Sequence, residues 1–178
     1  HAVLGQLPVK YIVKHWIDDP SVGVKEGDSF FFNDPFYGGV HGADMGLCVP
    51  VFYEGKLVCF TGAVVHTGEA GGKEPGGLIS TSESKYDEGL LVPPMKIGEN
   101  YTLREDLLTM FAAMTRDPRT LILDIKARDD RGREPTLTTR DCRSAPCPRS
   151  CNRRWTRRWR CSHGSGTRGP DGLLPVRV

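Results

Sequence analysis

The sequence of 178 residues lacks three features that mark well-known classes of protein. No stretch approaches the roughly 18 consecutive apolar residues that a membrane-spanning helix needs. No charged segment leads into an apolar run near the start, so no signal peptide is indicated. Gly71-Gly72-Lys73 does not match the GxxxxGK[ST] pattern of a P-loop, and we identify no nucleotide site. These absences favour a cytoplasmic protein without a membrane partner.

Lysine is absent after Lys126, and the charge balance changes near the same point. Residues 1–130 carry 12 Lys and Arg against 19 Asp and Glu, a net charge of −7. Residues 131–178 carry 12 Arg and 3 acidic residues, a net charge of +9, without helical or strand periodicity. We therefore expect residues 129–178 to be a disordered tail. Its composition suggests a frameshift in GC-rich coding DNA, and a genuine basic tail is the alternative.

Two kinds of binding are considered for this tail. Its four cysteines have spacings that fit no standard zinc module, so zinc binding is disfavoured. Its arginines, interleaved with Trp155 and Trp159, would bind polyanions without sequence specificity if they were exposed. We expect no specific nucleic-acid partner.

The remaining cysteines, Cys48 and Cys59, lie in apolar runs and are typical of buried free thiols in a cytosolic protein.

Two helices are predicted in the first 128 residues. The first has apolar residues at helical spacing, begins near Pro8 and ends before Asp18-Asp19-Pro20, because proline restricts the residue that precedes it. The second is predicted to begin with Thr102 and Glu105 as a capping box, in which each side chain hydrogen-bonds the other residue's backbone.

Short apolar runs predict strands at residues 29–33, 47–53 and 56–65. The last two are joined at Glu54-Gly55, a hairpin signal, and their apolar character on both faces predicts a place inside the sheet. The Gly- and Ser-rich segment 68–86 is predicted to be a long loop, and such loops often carry function. The expected class is α+β, a mixed sheet with flanking helices.

Three side chains that can bind a metal stand in two glycine-rich segments. His41 and Asp44 lie in NDPFYGGVHGAD, and His66 lies in VVHTGEAGG at the end of a predicted strand. Two imidazoles and a carboxylate form a ligand set that Mn, Fe and Zn accept, with positions left open for substrate. The alternative is that His41 caps a turn and His66 is a hydrogen-bonded core histidine.

Two further carboxylates are candidate catalytic residues. Glu69, three residues after His66, would orient an imidazole or transfer a proton; the alternative, which the sequence favours, is a solvated loop carboxylate. Asp34 lies at the mouth of the first loop in Asn33-Asp34-Pro35. It would position substrate or hold the loop through an Asx turn, and for Asn33 the structural role is favoured.

The order and spacing of several motifs resemble those of the hydantoinase B/oxoprolinase family. The motifs are GDSFFFNDPFYGGVHGAD, VPVFYEGKLVCF, VVHTGEAGG, EPGG, YDEGLLVPPMKIGE and LREDLLTMF. The resemblance covers residues 1–128, which are expected to be a metal-binding fragment of a larger hydantoinase B-like domain. Many hydantoinase-type members carry HHxDxGG where this chain has HTGEAGG. This difference makes the chain more similar to the branch that contains the acetone carboxylase α subunit.

The resemblance implies a metal-dependent ligase subunit. In such subunits the matching residues hold the metal, expected to be manganese, and they are His41, Asp44 and His66 here. A partner subunit would use ATP to activate bicarbonate and acetone, and the metal-binding subunit would join them into acetoacetate. The expected partners are β- and γ-type subunits of a hetero-oligomer. The chain also begins without Met, and as a fragment of the large subunit it is expected to be inactive alone.

Two other functions stay open. One is a subunit of an ATP-dependent hydantoinase or 5-oxoprolinase, which hydrolyses cyclic amides. The absence of the second His of HHxDxGG and the presence of Glu69 favour the carboxylase over the cyclic amide hydrolase. The other is an inactive truncated fragment whose Arg-rich tail binds polyanions, which salt-sensitive binding to arbitrary DNA without bound metal would support.

Overall fold

The protein is an α+β structure, as the sequence predicts. The structure, a computed structural model, describes the backbone of residues 5–141 and the side chains of residues 5–130. The elements in this range are α1 (Gln6–His15), β1 (Ser29–Phe32), β2 (Asp44–Tyr53), β3 (Lys56–His66), β4 (Met95–Glu99), β5 (Thr102–Leu103), α2 (Glu105–Ala113) and α3 (Pro118–Asp141), with 3₁₀ turns at Pro35–Tyr37 and Lys85–Glu88.

The strands form one sheet in the order β3-β2-β1-β4-β5. Every pair of neighbouring strands is antiparallel, so the sheet is not the mixed one that was expected. The predicted hairpin is confirmed: β2 and β3 are joined at Glu54 and Gly55, which both have positive φ angles of 52° and 75°. Such angles match a tight turn whose twist suits the strands on either side.

The prediction that both hairpin strands lie inside the sheet is wrong for β3. This strand pairs only with β2 among the described strands and forms an edge of the sheet. Most of its residues are exposed or half-buried, including Val58 and Val65, whereas β2 is buried over most of its length. The apolar composition of β3 therefore predicted more burial than this strand has, because the sequence does not show which elements cover each strand.

The two faces of the sheet pack against different helices. Phe31, Met45 and Leu47 point to one face, where Phe111 of α2 and Leu121 and Ile125 of α3 complete the larger core. Phe30, Phe32 and Cys48 point to the opposite face and pack against Ile12 of α1. Alternation of side chains along each strand separates the two cores. The sheet is therefore covered on both sides near its centre.

The predicted capping box at Thr102 is wrong. Thr102 belongs to β5, and α2 begins at Glu105 with Arg104 at its N-cap and no side-chain cap. The reason is a tight turn at Asn100 and Tyr101, which both have positive φ, and which directs the next residues into a β4–β5 pairing. Local capping preference gives way to strand pairing here.

Helix α3 crosses the boundary that the sequence suggested near Arg128. Its backbone continues to Asp141, and residues 142–178, most of the tail that was expected to be disordered, lie outside the described residues. The division of the chain at residue 128 stays a prediction. Among the described residues, no helix is both long and apolar enough to cross a membrane.

Candidate metal centre

The structure brings His41, Asp44 and His66 together at one end of the β2–β3 hairpin. One ligand atom from each residue can be chosen so that all three lie within 4.8 Å of one another. The imidazole rings of His41 and His66 are 5.0 Å apart between centroids. The Nε2 atom of His41 is 3.5 Å from Oδ2 of Asp44. The three side chains therefore converge without any rearrangement of the backbone.

Strand register explains why these residues meet. Asp44 is the first residue of β2 and His66 is the last residue of β3, and the two are directly paired across the hairpin. Side chains of directly paired residues in an antiparallel sheet point to the same face, with Cβ atoms about 5 Å apart. A tight turn then brings in His41, since the Asp44 N–H donates to the His41 carbonyl oxygen at 3.0 Å.

The donor set fits a divalent cation. Two nitrogen ligands and one carboxylate suit Mn²⁺, Fe²⁺ or Zn²⁺, and sites with only three protein ligands keep positions for substrate or water. The side chains of His41 and Asp44 are 24% and 21% exposed, and His66 is exposed, so substrate could reach them. Nδ1 of His41 accepts a long hydrogen bond from the Ala43 N–H at 3.3 Å. This contact turns Nε2 toward Asp44.

The long loop predicted at residues 68–86 passes beside this centre. Gly77 lies so close to His66 that a Cβ atom there would be 2.6 Å from His66 Cε1 and would overlap the Thr67 carbonyl oxygen. Gly77 also lines a small cavity of about 30 Å³ together with His41, Ala43, Leu78, Ile79 and Glu88. The absence of a side chain at Gly77 is therefore what lets the loop approach the histidine.

Glu69 holds the loop in place and is not a member of the three-residue cluster. Its Oε1 accepts from the Gly71 N–H at 2.6 Å, and its Oε2 accepts from the Gly76 N–H at 3.0 Å. Arg116 lies 3.1 Å from Oε1. Burial raises the pKa of Glu69, but the Gly76 and Gly71 hydrogen bonds and the Arg116 charge outweigh it, so the pKa lies below its ordinary value. The solvated carboxylate favoured by the sequence is instead tied to the loop.

Asp34 makes the Asx turn that was one of its two predicted roles. Its Oδ1 accepts from the Phe36 N–H at 2.9 Å and caps the first 3₁₀ turn, and only 5% of the residue is exposed. Lys85 lies 3.5 Å from Oδ2 and 4.6 Å from the centre of the Phe36 ring. These contacts connect the two loops that meet at the metal centre. A catalytic role for Asp34 or Glu69 stays a prediction.

Asn33 has a larger structural role than the sequence suggested. It is fully buried, and its Nδ2 donates to the carbonyl oxygens of Gly42 at 2.5 Å and Leu90 at 2.6 Å. Its Oδ1 accepts from the Val92 N–H at 2.7 Å. The preceding peptide group, between His41 and Gly42, is held by Glu88, whose Oε2 accepts from the Gly42 N–H at 2.6 Å. Motif spacing could not identify this pairing, because Glu88 is 46 residues away from Gly42.

Arg128 of α3 is a further residue that sequence reasoning missed. It is 3% exposed, and its Nη2 donates to the Val65 carbonyl oxygen at 3.1 Å and to Thr67 Oγ1 at 3.0 Å, on either side of His66. Burial lowers the pKa of Arg128, and the nearby Asp124 carboxylate opposes this effect. Nε and Nη1 are buried without a hydrogen-bond partner among the described residues. Arg128 therefore anchors the end of β3 to α3.

Two ketone carboxylases are among the relatives of this chain. It is 47% identical over 129 residues to the acetophenone carboxylase delta subunit of Aromatoleum aromaticum, a match that covers 72% of this chain and 18% of that subunit. It is 33% identical over 121 residues to the acetone carboxylase alpha subunit of Xanthobacter autotrophicus, covering 67% of this chain and 15% of that subunit. The chain thus spans less than a fifth of the length of either relative.

Solved structures give a similar result. A nucleotide-free acetone carboxylase structure matches 79% of this chain and 18% of its own chain, with a TM-score of 0.73 and 29% identity. The crystal structure of the ATP-dependent caprolactamase from Pseudomonas jessenii matches 80% and 24%, with a TM-score of 0.71 and 27% identity. Residues 1–129 match the sequence profile described as hydantoinase B/oxoprolinase. The chain belongs to the hydantoinase B/oxoprolinase family.

Proposed function

We propose that this chain is part of the metal-binding large subunit of an ATP-dependent ketone carboxylase. The observation that carries the proposal is the convergence of His41, Asp44 and His66 at one end of a hairpin, in a chain similar to two ketone carboxylase subunits. Acetone and bicarbonate are the substrates that the sequence resemblance implies. The higher identity to the acetophenone enzyme makes an aromatic ketone the second substrate to test.

In this proposal the two imidazoles and the carboxylate hold a divalent ion, with Mn²⁺ as the expected metal. Bound there, the ion would act as a Lewis acid that stabilises negative charge on the oxygen of an enolate or a carboxyl donor. The exposed side of His66 leaves room for these small substrates. The loop around Gly77 lies against the imidazole of His66 and bounds the site on that side.

The proposal assigns ATP to a different subunit. We identify no P-loop in the sequence, and β- and γ-type partners in a cytoplasmic hetero-oligomer would supply the activated substrates. The isolated chain is then expected to lack ATP-dependent carboxylation, because it spans less than a fifth of its carboxylase relatives.

Hydrolysis of a cyclic amide is a second candidate function. It is supported by the caprolactamase structure, whose TM-score of 0.71 is nearly equal to the value of 0.73 for acetone carboxylase. The same metal centre could serve either reaction, since a Lewis acid polarises an amide carbonyl as well as a ketone. The absence of the second histidine of HHxDxGG favours the ketone carboxylase.

A chimeric complex would separate these functions. The matching stretch of the acetone carboxylase alpha subunit is replaced by residues 5–128 of this chain and produced with the partner subunits. The assay follows ATP-dependent incorporation of labelled bicarbonate with acetone or acetophenone, and ring opening of caprolactam in parallel. We expect carboxylation of a ketone without ring opening.

The matched control is the same chimera with His66→Ala, which should assemble equally well but lose carboxylation. An assembled complex that opens the lactam and carboxylates neither ketone would reject the carboxylase in favour of the hydrolase. Undiminished carboxylation in the His66→Ala chimera would reject the metal centre as the site of the reaction.

A further inference from the structure

The two peptide groups on either side of the Gly42 Cα are each held by a side chain from outside the His41–Asp44 turn. Glu88 accepts the Gly42 N–H at 2.6 Å, and Asn33 donates to the Gly42 carbonyl oxygen at 2.5 Å. A Cβ atom at Gly42 would lie 3.2 Å from Oε2 of Glu88, closer than most such contacts, so the glycine permits this approach. The position of the turn from His41 to Asp44 is thus set from outside it.

The contacts within the turn hold its backbone better than its imidazole ring. The backbone is closed by the Asp44 N–H, which donates to the His41 carbonyl oxygen at 3.0 Å. The ring of His41 has only the 3.3 Å contact from the Ala43 N–H and the 3.5 Å approach to Asp44. Both distances are longer than those of strong hydrogen bonds. The bond from the Gly42 N–H to Oε2 of Glu88 is shorter, at 2.6 Å, so it constrains the turn more tightly than either contact of the His41 ring.

The position of Glu88 is fixed by hydrogen bonds within its own loop. It is the last residue of the 3₁₀ turn Lys85–Glu88, which begins with Asp87 Oδ2 accepting from the N–H groups of Glu83 at 2.8 Å and Ser84 at 3.1 Å. Glu88 also lines the cavity of about 30 Å³ beside His41. The carboxylate therefore stands next to the metal centre on a defined turn.

We propose that Glu88 is a positioning residue of the metal centre, which acts by holding the Gly42 N–H and thereby the His41–Asp44 turn. The inference rests on the proposed function, because it assumes that the three-residue cluster binds a divalent cation. Partners that orient metal ligands typically change metal affinity by about 10- to 100-fold when they are removed. Metal affinity should then depend on an acceptor atom within hydrogen-bond distance of the Gly42 N–H, more than on the negative charge of Glu88.

Three substitutions of Glu88 distinguish the position of the acceptor atom from the negative charge of the side chain. Glu88→Ala removes the acceptor and the charge. Glu88→Gln keeps an oxygen acceptor of the same length without the charge, and Glu88→Asp keeps the charge on a side chain that is one methylene shorter. The matched control is Glu83→Ala, an exposed glutamate of the same loop.

The experiment titrates Mn²⁺ into the full chain and follows the EPR signal of the free ion, with far-UV circular dichroism to compare folding. We expect Glu88→Ala and Glu88→Asp to weaken Mn²⁺ binding about 10- to 100-fold. Glu88→Gln and Glu83→Ala should stay within about threefold of the unsubstituted chain, a difference of less than 1 kcal/mol.

The result that overturns the inference is unchanged affinity in Glu88→Ala, or strong binding in Glu88→Asp with weak binding in Glu88→Gln, which would make charge the cause. If Glu88→Ala does not fold, the comparison of the Gln and Asp variants decides the question. If the unsubstituted chain binds no Mn²⁺, the proposed metal centre fails as well, and this outcome is distinct from a failure of Glu88 alone.

Discussion

Replacing Asn33 by aspartate is the most specific test of how the fold supports the metal centre. The two side chains have the same shape, so the substitution changes hydrogen bonding and charge without creating a cavity. Asn33 is fully buried, and its Nδ2 donates to two carbonyl oxygens, of Gly42 and Leu90. In Asn33→Asp an oxygen atom faces these two carbonyl oxygens at the same distances.

The expected cost follows from the bonds that are lost. The Val92 N–H still has its acceptor, but two buried carbonyl oxygens lose their donor and face a negative charge. Each buried polar group left without a partner costs about 1–3 kcal/mol. We expect a loss of about 3 kcal/mol or more in the free energy of unfolding at pH 7. With a urea m-value of about 1.5 kcal/mol/M, the midpoint would fall by about 2 M.

The loss should depend on pH in a defined direction. The carbonyl oxygens and burial disfavour the ionised form, so the introduced carboxyl should have a folded-state pKa above the value of about 3.9 in the unfolded chain. The destabilisation is then fully present above the folded-state pKa and decreases as the pH falls toward the unfolded value. Relative to the unsubstituted chain, Asn33→Asp should therefore recover part of its stability between pH 7 and pH 4.5.

The assay is urea unfolding of both chains at pH 7 and pH 4.5, with Asn100→Asp as the matched control. Asn100 lies in the exposed β4–β5 turn with a φ of 51°, a conformation that aspartate tolerates. The control should differ from the unsubstituted chain by less than about 0.5 kcal/mol. Equal stability of Asn33→Asp and the unsubstituted chain at pH 7, or a stability difference that grows at pH 4.5, would refute the structural role assigned to Asn33.

Three further predictions concern the surroundings of the metal centre. Gly77→Ala should push against His66 and weaken Mn²⁺ binding about tenfold, whereas Gly68→Ala, where a Cβ meets nothing within 4 Å, should not; equal titrations would contradict this. Glu69→Gln should increase proteolysis of its loop at neutral pH. Because the pKa of Glu69 is lowered, the difference in proteolysis between Glu69→Gln and the unsubstituted chain should vanish as the pH falls through that pKa. A difference that does not change with pH would argue against the charge of the carboxylate as the cause. Arg128→Met should lower thermal stability by several degrees and loosen the backbone at the end of β3 in hydrogen exchange; unchanged protection there would refute its anchoring role.

Local patterns in the sequence were sufficient for the parts of the fold that depend on neighbouring residues. Glu54-Gly55 predicted the hairpin because the turn is made by those residues themselves. His41, Asp44 and His66 were recognised as possible ligands from their residue types and from the family resemblance. Their convergence then follows from the hairpin, since its register pairs Asp44 with His66.

Features set by long-range packing were missed or misread. Thr102 has the right local signal for a helix cap, but pairing with β4 places it in a strand. The apolar composition of β3 resembles that of a central strand, although it lies at an edge. Glu88 and Arg128 gave no signal, because their contacts join residues about 46 and 61 to 63 positions apart. Such contacts are determined by the sheet and helices as a whole.

The most direct test of the metal centre is pulsed EPR of the chain loaded with one equivalent of Mn²⁺. Two imidazole ligands should give hyperfine couplings from two ¹⁴N nuclei, and His66→Ala should leave the coupling of His41 alone. Asp44→Asn should weaken binding while both couplings persist. Mn²⁺ that binds without any ¹⁴N coupling, or that binds equally well after His41 and His66 are both replaced by alanine, would contradict the account.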